Sequence, residues 1–152
     1  MTDTANGRSG HRLLPHTADL LIDAWADTEP DCIAEAVRGL ADSFVDVPDQ
    51  APRRGIPIRV HAGTPAERLV AVLEEAVFLV DAQGLVPVGA GLRLDPDDDE
   101  AGGTGGEVRG RFDVVALSAT RPVGPAPKGI TRHGLRMSRW DGGWRGQVVV
   151  DV

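Results

Sequence analysis

Two aspartates stand inside runs of sequence that otherwise read as strands. Asp19 sits in His16-Thr17-Ala18-Asp19-Leu20-Leu21-Ile22, and Asp151 in Val148-Val149-Val150-Asp151-Val152. Short aliphatic and β-branched runs of this kind read as buried strands. A carboxylate inside one is costly unless it is paired, hydrogen-bonded or bound to a cation. Side chains alternate along a strand, so Asp19 shares a face with Leu21 and Asp23, and Asp151 with Val149. If the last strand pairs beside the first, both carboxylates meet at one sheet edge, and the α-carboxylate of Val152 adds further oxygens. Hard cations, Ca²⁺ or Mg²⁺, select such all-oxygen sites. The bland alternative is that both aspartates cap strand ends and face water.

Other residues invite weaker readings. His16 and His133 have no cysteine or second histidine at zinc-ligand spacing, and a lone strand histidine is usually a hydrogen-bonded structural residue. Lys128, the one lysine, follows Pro125 and Pro127. It can meet a phosphate or an acidic partner, or simply be solvated. Asp95, Asp97 and Asp99 carry acids at alternate positions, but a calcium loop of the EF-hand type needs Gly and Glu where Glu100 and Gly106 stand. Residues 95–106 therefore read as a mobile, solvated loop. Glu74 and Glu75 are adjacent, so a helix splays them apart. No nucleophile elbow, phosphate-cradling loop or Cys/His pair appears.

The elements that must position these residues follow from pattern. Residues 1–10 read as a disordered leader, and Leu13 to Ala26 as the first extended stretch, interrupted at Pro15. Apolar residues from Ile33 to Val45 recur at helical spacing, predicting a helix over about 30–46. Ile56, Ile58 and Val60 alternate as in a half-buried strand. Thr64-Pro65-Ala66-Glu67 is a capped helix start, and Gly84 ends that helix. Short strands are predicted near 85–95, 107–118, 129–138 and 144–152, with Asp141-Gly142-Gly143 as a hairpin turn. The expectation is a single α+β domain over 11–152, two helices covering one face of a largely antiparallel sheet.

Composition narrows the class. The 152 residues carry a formal net charge of −7, which argues against a protein that grips nucleic acid itself. If RNA is involved, a partner is expected to hold it. One cysteine, Cys32, excludes an internal disulfide. With no apolar run near spanning length and no signal-peptide core, the expected location is the cytoplasm, without a membrane.

His-Thr-Ala-Asp at 16–19, the Leu-rich second helix, Lys-Gly-Ile-Thr-Arg-His at 128–133 and Asp-Val at 151–152 together resemble the archease family over roughly residues 11–152. The resemblance implies a metal site made by Asp19, Asp151 and Val152, with His16 positioning the loop before Asp19. It implies partner contacts at Lys128 and His133. It also implies a non-catalytic accessory protein that binds a divalent cation, Ca²⁺ foremost, and assists a GTP-dependent RNA ligase of the RtcB type in tRNA splicing and RNA repair. Such a protein would promote guanylylation and turnover of the ligase. The sequence departs from the family at Val72-Leu73-Glu74-Glu75, usually Trp-Leu-Asn-Glu-like, and at Arg132, usually Tyr. Two other classes stay open: a divalent-cation-binding, chaperone-like module with another client, and a metal-dependent hydrolase using the same aspartates.

Overall fold

The computed structural model describes residues 8–16, 19–96 and 105–152. The elements run β1 (Gly10–His16), β2 (Asp19–Ala26), α1 (Glu29–Asp42), β3 (Val45–Asp46), β4 (Arg54–Ala62), α2 (Pro65–Gln83), β5 (Leu85–Pro96), β6 (Gly106–Ala116), β7 (Arg121–Pro122), β8 (Gly129–Trp140) and β9 (Gly143–Asp151). Two helices and antiparallel strands make an α+β fold, as the sequence predicts. The strands fall into a four-stranded sheet ordered β1-β2-β9-β8, a three-stranded sheet ordered β4-β6-β5, and the small pair β3-β7. Both helices touch both larger sheets: α1 packs on β1, β2, β9 and β5, and α2 on β8, β9, β4 and β5.

Local chemistry explains where the helices start and stop. Thr64 Oγ1 accepts from the Glu67 N–H at 3.1 Å, and Pro65 opens the first turn. Gly84 closes α2 in the left-handed region at φ 62°, a conformation that costs glycine nothing. Thr28 caps α1 in the same way, accepting from Asp31 N–H at 3.2 Å. The end of α1 differs from expectation. The apolar spacing continues through Phe44 and Val45, yet the helix stops at Asp42. Val123 N–H donates to the Phe44 carbonyl at 2.9 Å, and Phe44 and Val45 are buried in a small cluster with Val80, Val86 and Val115. Tertiary pairing takes over where periodicity alone would extend the helix.

Between β8 and β9, Asp141 and Gly142 adopt φ 50° and 78°. Positive φ at both central residues matches the right-handed twist of the flanking strands, and an Asp-Gly pair tolerates it. The chain also reverses between His16 and Asp19, so the first extended stretch is a hairpin, β1 against β2. Residues 1–7 and 97–104, including Asp97 and Asp99, lie outside the described residues. Asp95 does not: it ends β5 in an ion pair with Arg109 Nε at 2.6 Å.

The core lies between the helices and the inner sheet faces. Ile22, Ala24, Val148 and Val150 on the central strands, Leu69, Val72 and Leu73 on α2, and Val108 and Phe112 on β6 are almost completely buried. Cys32 belongs to it too, and burial pushes its thiol up to about 12, which leaves it unreactive at neutral pH. No helix among the described residues is long and apolar enough to cross a membrane.

One titratable group at the packing of β1 on α1 sets a pH dependence. His11 Nε2 lies 2.9 Å from Asp42 Oδ2, and its Nδ1 4.0 Å from Glu35. The hydrogen bond to Asp42, with the Glu35 carboxylate nearby, outweighs the opposing effect of burial and raises its pKa to about 9. A raised histidine stabilises fully below its unfolded value near 6.5, and that contribution fades as pH rises through about 9. Discounted for partial exposure, the loss is about 1–2 kcal/mol. The melting temperature of the wild type should therefore fall between pH 6.5 and 9.5 more steeply than that of His11→Gln. Parallel curves for the two proteins would contradict this assignment.

Candidate functional site

The four-stranded sheet brings three distant sequence segments to one row. Asp19 on β2 stands directly opposite Asp151 on β9, His16 of β1 opposite Asp19, and Gly129 of β8 opposite Asp151. Directly paired residues of an antiparallel ladder point to the same face, with Cβ atoms about 5 Å apart. Asp19 and Asp151 therefore share a face, at the end of the two central strands. The backbone N–H of Lys128 donates to the Asp151 carbonyl at 2.7 Å, fastening the Lys-Gly-Ile-Thr segment to the same place. Asp19 is half-buried and Asp151 exposed. Val152 is half-buried against the main core.

The remaining sequence-predicted residues are placed less tightly. The side chain of His16 lies outside the described residues, so only its backbone position in the row is fixed. Lys128 and His133 are both exposed. The register of β8 on β9 shifts between Thr131 and Arg136. His133 sits in this bulge, its N–H donating to Thr131 Oγ1 at 2.9 Å, with Gly134 at φ 73° beside it. His133 lies four residues along β8 from Gly129 and so stands away from the Asp19/Asp151 row, whereas Lys128 is held at it. Arg132 clamps the bulge to the first turn of α2 through Glu67, with Nη2 3.0 Å from Oε1.

Like charges placed directly opposite across a ladder destabilise it, and a cation between the two carboxylates reverses the sign of that interaction. Among the described residues, no three His, Cys, Asp or Glu side chains gather to hold a metal ion. A cation placed at this row would meet two carboxylates, with backbone oxygens to add to them. That set suits Ca²⁺, which accepts carboxylate, carbonyl and water oxygens in flexible geometry, and not the nitrogen and sulfur preference of zinc.

Three charge clusters, each with at least one buried carboxylate, escaped the sequence reading. Asp23, fully buried, lies on the same face as Asp19. Arg145 grips it with two bonds of 2.9 and 2.8 Å, and Arg12 adds one of 2.6 Å. Burial opposes its ionisation, and the Arg145 and Arg12 guanidiniums outweigh burial to hold the carboxyl below its usual value. Arg12 in turn lies over Trp25 and Arg145 over Trp140, at 5.9 and 5.2 Å from the ring centroids. Glu29 and Arg68 form the second group, joining the starts of α1 and α2. His11 with Glu35 and Asp42 is the third. Only an acid flanked by Ile22 and Ala24 hints at Asp23 in sequence, and its partners lie 11 and 122 positions away.

The Archease protein family (MTH1598/TM1083) matches residues 11–152. This chain belongs to the archease family. A probable archease of Mycobacterium tuberculosis is 40% identical over 144 residues, which are 95% of this chain and 75% of the relative. The archease of Methanopyrus kandleri is 29% identical over 140 residues, 91% of this chain and 96% of the relative. Among solved structures, protein 1598 of Methanobacterium thermoautotrophicum shares the fold with a TM-score of 0.75 at 15% identity, covering 94% of this chain and 99% of that one. An archease of Thermotoga maritima, described as a possible chaperone, gives a TM-score of 0.54 at 16% identity, covering 93% and 96%. At such identities these two structures speak to the archease fold alone.

Proposed function

We propose that this archease is a non-catalytic accessory protein of a GTP-dependent RNA ligase of the RtcB type. In this reading it promotes guanylylation of the ligase and repeated turnover during tRNA splicing and RNA repair. The observation that supports it is the direct pairing of Asp19 with Asp151 at the open end of β2 and β9. Asp19, Asp151 and the backbone oxygens of Val152 hold a divalent cation, with Ca²⁺ preferred over Mg²⁺. Lys128, fastened beside Asp151, meets the partner, and His133 on the neighbouring bulge extends that contact. When bound, the cation supplies positive charge at an otherwise acidic rim. The side chains position it and present the rim to the ligase. Such a role places the protein in the cytoplasm with its ligase, which itself holds the RNA.

The test is RNA end-joining by purified ligase, with the ligase limiting, in the presence of wild type or Asp151→Ala. Wild type should raise the number of turnovers, and Asp151→Ala should lose at least tenfold of that stimulation. Asp151 is exposed at a strand end, so folding is expected to survive, and a melting curve checks this. Equal stimulation by both proteins contradicts the reading. Stimulation of an unrelated client by a protein inert toward the ligase would favour the chaperone-like alternative instead.

A further inference from the structure

The second large sheet brings arginines of three strands into register. In the order β4-β6-β5, Arg59 pairs directly with Arg109, and Arg109 directly with Arg93. Three arginines therefore form one row on one face of the sheet. With strands spaced about 4.8 Å apart, the row spans roughly 10 Å. Like charges in direct opposition across a ladder are destabilising. Arg111, two residues along β6 on the same face, adds a fourth guanidinium.

Neutralisation is incomplete. Glu107 lies 2.9 Å from Arg59 Nε and 3.8 Å from Arg109 Nη1, and Asp95 2.6 Å from Arg109 Nε. Arg93 and Arg111 are exposed, and neither forms an ion pair among the described residues. The four arginines line an open groove of about 680 Å³, with Gly91 and Asp31 also on its wall. An added Cβ at Gly91 would meet nothing within 4 Å, so the groove is open above that strand. At Gly110, by contrast, a Cβ would fall 1.9 Å from the Gly91 carbonyl oxygen, which keeps β5 and β6 close beneath the arginines.

We propose that this groove binds a chain of phosphates through Arg59, Arg93, Arg109 and Arg111. Guanidinium forks match phosphate oxygens two at a time, and a row of them at strand spacing suits several phosphates in succession. A nucleoside triphosphate and the backbone of single-stranded RNA share this chemistry. The chain as a whole carries −7, so its distant field repels polyanions. Binding through the groove is therefore short-range, modest and weakened by salt.

The experiment is calorimetric titration with tripolyphosphate at low salt, followed by displacement with ATP and with a single-stranded RNA decamer. Wild type should bind tripolyphosphate. The double variant Arg93→Ser/Arg111→Ser and the single variant Gly91→Asp should each bind at least tenfold more weakly. Arg139→Ser, a change to an exposed arginine of β8, should stay within twofold of wild type. Displacement by ATP assigns the groove to a nucleotide, and displacement by the decamer assigns it to an RNA backbone; either supports the proposal. Melting curves establish that the variants fold, and Gly91→Asp tests the groove without removing any arginine. Three results would overturn the proposal: no binding of tripolyphosphate, equal weakening by Arg139→Ser, or binding that neither ATP nor RNA displaces.

Discussion

Arg68→Ala should destabilise the protein by about 3–5 kcal/mol, the usual cost of stranding one charge of a buried pair. Arg68 and Glu29 are 3% and 6% exposed, and their side chains meet through bonds of 2.6 and 3.1 Å. Arg68 Nη1 also donates to the Ala62 carbonyl at 3.0 Å, so one guanidinium ties α1, α2 and the end of β4 together. Removing it leaves the Glu29 carboxylate buried at the start of α1. For a chain of this size the loss corresponds to roughly 6–20 °C in melting temperature. The double variant Glu29→Leu/Arg68→Met should recover most of the loss, because apolar side chains of similar volume commonly replace a buried pair without cost. Thermal unfolding of both variants checks this. A single variant within 1 °C of wild type, or a double variant no better than the single, would show that the pair does not join the helices as described.

That pair also shows which features the sequence exposes and which it hides. The start of α2 was legible because Thr64, Pro65 and Glu67 act on their own backbone neighbours, and its end because Gly84 alone fits the left-handed position. The hairpin at Asp141-Gly142 was legible for the same local reason. The end of α1 was not, since Phe44 satisfies helical spacing while its carbonyl is claimed by Val123. Glu29 with Arg68 and Asp23 with Arg12 and Arg145 were hidden because no local pattern announces a charge whose partner arrives through the fold. The arginine row was hidden for a related reason. Arg59, Arg93 and Arg109 look like ordinary solvent-facing strand residues until the registers of β4, β5 and β6 align them.

The Asp19/Asp151 row falls between these cases. Each acid was conspicuous because it interrupts an apolar run, and alternation assigned its face. Their juxtaposition depends on β9 lying beside β2, which the resemblance implied and the register displays. Asp23, on the same face, is fully buried and gripped by two arginines, which excludes a cation there. Asp19 and Asp151 stand in direct register at the strand ends, and the proposed cation site is theirs.

Calcium titration by calorimetry, on wild type and on Asp151→Asn, tests that claim most directly. The asparagine keeps the shape and a carbonyl oxygen while removing the charge that opposes Asp19. Wild type should bind one Ca²⁺ per chain, and Asp151→Asn should bind it at least tenfold more weakly, a difference of about 1.4 kcal/mol. Magnesium should bind more weakly than calcium, because two carboxylates and backbone oxygens do not impose the strict octahedron it requires. Equal calcium affinity in the two proteins, or none in wild type, would contradict a cation site between Asp19 and Asp151.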